Sequence, residues 1–301
     1  MAHPIQLKAL TRHLLGATLW GMHLLAWCQV GIAPPTARWP DPAASASPGH
    51  LHSTEHIRTQ HLQRLHEQAT TDPATLREAC RYESEISTHP PARQVLLTFD
   101  DGPEPGQTEF ILATLKQHGI RAVFFLVGQK AARHPELVQA ILAADQHAVG
   151  NHSWDHPNFH QINTAEQGRQ VLLAEATLAP AMTHKLFRYP YGNSSCATNT
   201  LLHERGYRVL GWHVDSCDWA FDHHGSVDAR EALSCGVLAT NHHDYIGHVV
   251  STVRAHNGGV VLMHEIHPNT LKNLDAIIVQ LKAEGFEFSS VDAPGFASSM
   301  R

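Results

Sequence analysis

Clustered Lys and Arg are missing from this sequence. Its 22 basic residues are outnumbered by 28 acidic ones, for a net charge of −6. A phosphate-binding surface needs concentrated positive charge, so composition argues against nucleic acid as a partner. Cys-x-x-Cys pairs are missing too. Cys28, Cys80, Cys196, Cys217 and Cys235 stand apart, which argues against a zinc ribbon or a thioredoxin-like motif. What is abundant is histidine, 26 residues in 301. At that density a single His identifies nothing, and only spacing and position can promote one. The length suits one barrel-sized domain with a small extension. The hydrophobic fraction of 43% is ordinary for a globular chain.

One long apolar run is present, Leu14 to Ala33, broken by Thr18, His23 and Gln29 and preceded by Lys8 and Arg12. Positive residues before an apolar run read as a secretory signal or an uncleaved signal anchor in residues 1–33. The cleavage signal is poor: Gly31-Ile32-Ala33 suits a peptidase, but Pro34 follows. Leu25-Ala26-Trp27-Cys28 approaches a lipoprotein box, with Trp27 where a small residue belongs. Export is therefore expected, to the periplasm, the cell envelope or the medium, with membrane anchorage left open. Residues 34–50, rich in Pro, Ala and Ser, read as a flexible linker. Residues 51–91 read as a helical lead-in, its second helix opened by Asp72-Pro73 and carrying Cys80, and no chemistry is legible there.

From Val95 apolar strands alternate with amphipathic helices. The expected strands are Val95–Thr98, Ala122–Val127, Ala148–Asn151, Leu186–Tyr189, Val209–Val214, Gly259–Met263 and Phe286–Ser289. Helices are expected at Thr108–His118, Pro135–Ala144, Thr164–Leu178, Ala197–Arg205, His242–His256 and Thr270–Glu284. Thr164 and Gln167 have capping-box spacing. This repetition implies a parallel sheet, closed or nearly closed into a barrel over residues 92–292, with 293–301 as a tail. Residues 219–240 read as irregular.

The strand ends carry the chemistry. Leu96-Leu97-Thr98-Phe99 stops at Asp100-Asp101-Gly102-Pro103, which is either a polar turn or two acids delivered to a barrel rim. His152-Ser153-Trp154-Asp155-His156 places two His four apart, a spacing that on one helical turn suits a metal ion. Arg188-Tyr189-Pro190-Tyr191-Gly192 offers an Arg for a carboxylate and a turn that aims a backbone N–H. Asp218-Trp219 and Val260-Val261-Leu262-Met263-His264 add a carboxylate and a His for general acid work. One carboxylate with two imidazoles makes a three-ligand site with positions left for water, the pattern of a hydrolytic metal.

Five such segments in this order resemble the polysaccharide deacetylase family, the NodB-like carbohydrate esterases of family 4. The resemblance spans about residues 92–292 and rests on Thr98-Phe99-Asp100-Asp101-Gly102, His152-Ser153-x-x-His156, Arg188-x-Pro190-Tyr191-Gly192, Asp218-Trp219 and Leu262-x-His264. It implies a distorted (β/α)7 barrel and a hydrolase that removes N-acetyl groups from amino-sugar polymers with one divalent metal ion, usually zinc, with Co2+, Mn2+ or Ni2+ as alternatives. By the same resemblance Asp100 is the base, and Asp101, His152 and His156 are the metal ligands. Arg188 positions the base, Tyr191 supplies an oxyanion N–H, Asp218 supports the acid and His264 is that acid. Trp219 and Leu262 wall the acetyl pocket. Tyr189 stands where many members carry a second Pro, beside the substrate groove, and Glu265 stands where Asp is usual. The implied partner is an N-acetylated glycan, with peptidoglycan first and chitin oligomers, poly-N-acetylglucosamine or acetylxylan as alternatives. A monomer is expected. A saccharide-binding protein without catalysis is the contrasting reading. In an exported protein Cys196 and Cys217, both near the rim, are a candidate disulfide. Cys235 competes for the same partner, and Cys80 is a candidate partner for Cys235.

Overall fold

The structure is a computed structural model and describes residues 54–301 apart from 83–85, 87, 145–146 and 222–224. The expected signal or anchor and the linker lie outside the described residues. Two helices, α1 (Thr54–Thr70) and α2 (Pro73–Glu78), come first. Then follow β1 (Gln94–Asp100), α3 (Gln107–His118), β2 (Val123–Leu126), α4 (Gly128–Arg133), α5 (Pro135–Ala143), β3 (Ala148–Asn151), α6 (Thr164–Leu178) and β4 (Leu186–Phe187). The second half holds α7 (Cys196–Glu204), β5 (Arg208–Val209), β6 (Val214–Asp215), α8 (Asp218–Phe221) and α9 (Ala229–Cys235). It closes with α10 (Tyr245–His256), β7 (Gly259–His264), α11 (Pro268–Ala283) and β8 (Glu287–Phe288).

The strands are parallel in the order β5-β4-β3-β2-β1-β7-β6, with β8 added to the start of β1. This curled parallel sheet is the distorted barrel that the family resemblance implies. β5 and β6, neighbours in sequence, end up at opposite ends of that order, so the curl stays open between them. The C-terminus pairs with β5 instead: Arg301 and Val209 exchange backbone hydrogen bonds at 3.0 and 2.7 Å.

β1 lies between β2 and β7, and its residues from Val95 to Asp100 are all buried. A strand covered on both faces must be apolar throughout, which explains the run Val-Leu-Leu-Thr-Phe. Alternation then sorts its side chains. Leu97 and Phe99 join the cluster shared with the outer helices, while Leu96 packs with Val123, Phe125 and Val260 in a second cluster. Thr98 and Asp100 share the parity of Leu96. Register finishes the placement: Asp100 pairs with His264 at the end of β7.

Several local expectations change. The strand Val209–Val214 is two short strands, because Arg188 takes the carbonyls of Leu210 and Gly211 that a continuous ladder would use. The stretch 219–240 is not irregular: it carries α8 from its first residue, α9, and a 3-10 turn at Ala239–Asn241. Helices this short do not show a 3.6-residue period. α6 is capped by Asn163, whose side chain accepts from the Glu166 N–H, rather than by Thr164. The expected Cys196–Cys217 disulfide does not form. Cys196 bonds Cys80 and Cys217 bonds Cys235, since α2 folds back onto the start of α7 and α9 returns to the loop before α8.

Candidate active site

The carboxyl ends of β1, β3, β4 and β7 converge on one cavity. Asp100 and Asp101 from β1, His152 and His156 after β3, and His264 from β7 all line it. Tyr189, Tyr191 and Leu262 complete the barrel side of the wall, together with Trp212. Arg188 and Asp218 stand behind this wall, fully buried. Non-glycine residues in the left-handed region gather here: Asp101, Ser153, His156, Tyr191 and Cys217 all have positive φ. Strained backbone of this kind persists where surrounding structure over-determines it, commonly at functional sites.

The two adjacent aspartates have different surroundings. Asp100 Oδ1 accepts from Arg188 Nη1 at 2.8 Å, and the same nitrogen reaches Thr98 Oγ1 at 2.7 Å. The remaining guanidinium nitrogens donate to the Leu210 and Gly211 carbonyls at 3.0 and 2.8 Å. Arg188 is thus locked in place, and one arm of its guanidinium fork holds Asp100. Asp101 faces two imidazoles, with its Oδ1 3.5 Å from His152 Nε2 and 3.2 Å from His156 Nε2, and His152 Nε2 is also 3.6 Å from Asp100 Oδ2. Burial alone would raise the Asp101 pKa, but His156 and His152 outweigh it and hold the carboxylate well below its usual range.

Asp101, His152 and His156 could hold one metal ion, and their surroundings fit one. Asp101 Oδ1 is buried with no hydrogen-bond partner. The Nδ1 of His152 lies 2.8 Å from the Arg188 carbonyl, which fixes the ring and leaves Nε2 as the inward lone pair. One carboxylate oxygen and two imidazole nitrogens are donors suited to zinc. His152 and His156 are not on a helical turn. A loop brings them together through the left-handed residues Ser153 and His156, with the His156 N–H donating to Ser153 Oγ at 3.0 Å. The expected spacing was met by different geometry.

Asp218, His264 and His267 form a second group within reach of one ion, but Asp218 is already saturated. Its Oδ1 takes His264 Nδ1 at 2.7 Å and the Trp219 N–H at 2.9 Å. Its Oδ2 takes the His264 N–H at 2.8 Å and Thr270 Oγ1 at 2.5 Å. This arrangement suits a proton better than a metal. Burial disfavours the charged imidazole, yet the Asp218 carboxylate outweighs it and the His264 pKa is pushed up to about 10. Asp218 itself is held below its usual range by His264 despite burial.

Glu265 backs the opposite side of β1. It is buried, accepts from Thr108 Oγ1, and donates its backbone N–H to the Asp100 carbonyl at 3.0 Å. Burial pushes its pKa up to about 8. Tyr189 does not open onto solvent: it is buried, and its hydroxyl donates to Asn199 Oδ1 at 2.7 Å. Trp219 is fully buried beneath His61.

Four residues at or beside the site were not legible in the sequence. Trp212 sits in what read as a plain strand. His267 follows the last motif and was masked by the abundance of His. Ile57 and His61 come from α1, where no chemistry was expected, and both line the cavity. The only sequence signal was their shared face, since Ile57, Gln60, His61 and Arg64 recur at helical spacing. Burial, reinforced by the nearby His264, lowers the His61 pKa well below its ordinary value.

A family model described as polysaccharide deacetylase matches residues 87–210. The chain is 33% identical over 202 residues to a peptidoglycan-N-acetylglucosamine deacetylase of Listeria monocytogenes, covering 66% of this chain and 38% of that one. It therefore spans well under half of that relative's length. It is 30% identical over 212 residues to a chitooligosaccharide deacetylase of Bradyrhizobium, covering 65% of this chain and 87% of the relative. A family 4 carbohydrate esterase from Streptomyces lividans, solved with acetate, superposes with a TM-score of 0.53 at 33% identity, covering 68% of this chain and 95% of that one.

Proposed function

This chain belongs to the polysaccharide deacetylase family, and from that membership we propose that it is a metal-dependent N-deacetylase of N-acetylglucosamine residues in an envelope glycan, peptidoglycan first. The observation that carries the reading is the division of labour between two neighbouring carboxylates. Asp100 is bound to Arg188, and Asp101 faces His152 and His156. The proposed setting is the cell envelope of an exported protein. Among the described residues no helix is long and apolar enough to cross a membrane.

Amide hydrolysis needs an activated water, a place for negative oxygen and a proton for the departing nitrogen. Asp101, His152 and His156 would hold a divalent ion, zinc by their donor set, which supplies Lewis-acid polarisation of the acetyl carbonyl and a more acidic water. Asp100, oriented by the Arg188 fork, takes the proton from the attacking water. The Tyr191 turn, in the left-handed region with φ 56°, lines the cavity where the oxyanion develops. Its backbone N–H is the proposed donor, worth roughly 3 kcal/mol of transition-state stabilisation. His264, kept as imidazolium by Asp218, gives its proton to the amine. Leu262 and Trp219 hold the methyl group.

The test is acetate release from peptidoglycan, chitin oligomers, poly-N-acetylglucosamine and acetylxylan, with and without chelator. Chelator-sensitive release from peptidoglycan is expected. Release confined to chitin oligomers would favour the chitooligosaccharide reading suggested by the Bradyrhizobium relative. Metal-loaded protein that binds glycan and releases nothing would overturn catalysis.

A further inference from the structure

The cavity that holds the candidate centre is narrow. Its free volume is about 10 Å3, roughly what a single water needs, and an N-acetylated sugar does not fit. The lid is α1. His61 lies flat on the Trp219 indole, with ring centroids 4.3 Å apart and planes 4° from parallel, and meets the Tyr191 ring edge-on at 5.8 Å. Its imidazole therefore fills the wall where the acetyl methyl group has to pack.

The attachment of α1 is uneven along its length. Its buried side chains among the described ones are Ile57, Gln60 and His61, all in the N-terminal half, and Ile57 is the one aliphatic residue of the three. The other ties there are polar: Arg58 to Glu231 and, at 3.1 Å, to Asp228 of the α9 cap; Gln60 to Asn158 at 2.6 Å. Arg58 keeps 28% of its side chain exposed and Asp228 keeps 50%, so that ion pair is screened and weak, while the Glu231 carboxylate is buried. The C-terminal half is tied to the segment that follows α2. Glu67 binds Arg81 and Tyr82, and Cys80 between them is bonded to Cys196 of α7. An element that buries one aliphatic side chain and is otherwise held by polar and ring contacts belongs to the less stable parts of a fold, from which lids are drawn.

We propose that α1 is a lid of the candidate centre and that His61 is its specificity-determining residue, holding the acetyl pocket until an N-acetylated glycan displaces it. This rests on the deacetylase reading. The lid makes the centre selective for glycans long enough to bind along the groove and lift α1, against free acetylated monosaccharides.

The experiment uses the full zinc-loaded chain and two readouts. Hydrogen exchange over residues 54–70 is measured free and with saturating chitotetraose, beside β1 and β7. Acetate release is measured on chitotetraose and on N-acetylglucosamine for wild type, Arg58→Ala and His61→Gly. In the free protein α1 is expected to exchange at least about tenfold faster than β1 and β7, and faster again in Arg58→Ala. Chitotetraose should raise exchange in α1 further. Arg58→Ala should raise kcat/KM on chitotetraose about fivefold, the effect of losing one exposed ion pair, and His61→Gly should narrow the preference for tetramer over monomer. An α1 that exchanges as slowly as β1, or that chitotetraose protects, overturns the lid. So does Arg58→Ala with faster exchange but unchanged kcat/KM. No acetate from wild type or either variant on any glycan, with α1 exchanging fast, overturns the deacetylase reading and leaves the lid supported.

Discussion

Arg188 Nη1 and Asp100 Oδ1 meet at 2.8 Å with both side chains out of contact with solvent. A buried ion pair stripped of one partner leaves an uncompensated charge, at a cost of about 3–5 kcal/mol. Arg188→Ala should therefore lower unfolding stability by that amount in urea denaturation. Asp100→Asn keeps shape and hydrogen bonding but not basicity. It should lose about 10²–10⁴ in kcat for acetate release while zinc content stays at the wild-type level. A variant that keeps most of its activity would remove Asp100 as the base.

The pH dependence should follow Asp218. A general acid must start protonated, so activity falls as pH rises through the His264 pKa, which Asp218 holds up despite burial. In Asp218→Asn that support is gone. The alkaline limb of kcat/KM should move to lower pH, with the acid limb left in place. An unmoved alkaline limb would mean that His264 is not the titrating acid.

Metal binding should depend on the Asp101 group. His152→Ala and His156→Ala should each lose stoichiometric zinc, read by elemental analysis after dialysis. His267→Ala should not, because Asp218 is saturated by hydrogen bonds. Removing metal from wild type should lower the melting temperature, since a ligand at about 100 times its Kd contributes about 3 kcal/mol.

Glu265 leaves almost no room at Gly102. A Cβ on Gly102 would stand 1.7 Å from Glu265 Oε1, a distance that forces displacement. Gly102→Ala should cost about 1–3 kcal/mol through overpacking. The buried acid itself makes stability pH-dependent. Its folded pKa of about 8 lies above the ordinary 4.5, so the native state binds the extra proton and stability falls as pH rises from about 5 to about 8. Glu265→Gln should flatten that fall, leaving the melting temperature at pH 8 a few degrees above that of wild type.

The Cys80–Cys196 bond closes a sequence separation of 116 residues. Chain-entropy arguments assign such a loop about 4–5 kcal/mol, with 2–4 kcal/mol typical in practice. Cys196→Ser should lose stability in that range, and peptide mapping without reduction should recover Cys80 joined to Cys196. A Cys196–Cys217 peptide would contradict the fold of the lead-in.

The catalytic-looking residues could be read from the chain because each one ends an apolar strand, and in a parallel barrel all such ends share one rim. Strand periodicity and short motifs are local properties, written within a few neighbouring residues. That placed Asp100, Asp101, Arg188 and His264 in one region before any coordinate was known. What only the tertiary structure decided is long-range. α1 is a polar helix whose one shared face, Ile57, Gln60, His61 and Arg64, carries a single buried aliphatic residue, so its period does not declare a partner, and its seat over Trp219 depends on how the barrel curls. The disulfide partners follow from the same folding back of α2 and α9. The His152–His156 approach depends on two left-handed residues that spacing does not reveal, and the break between β5 and β6 on carbonyls drawn away by Arg188. Local chemistry follows from sequence because it is encoded by neighbours; what covers the site depends on surfaces that meet only after the chain has closed on itself.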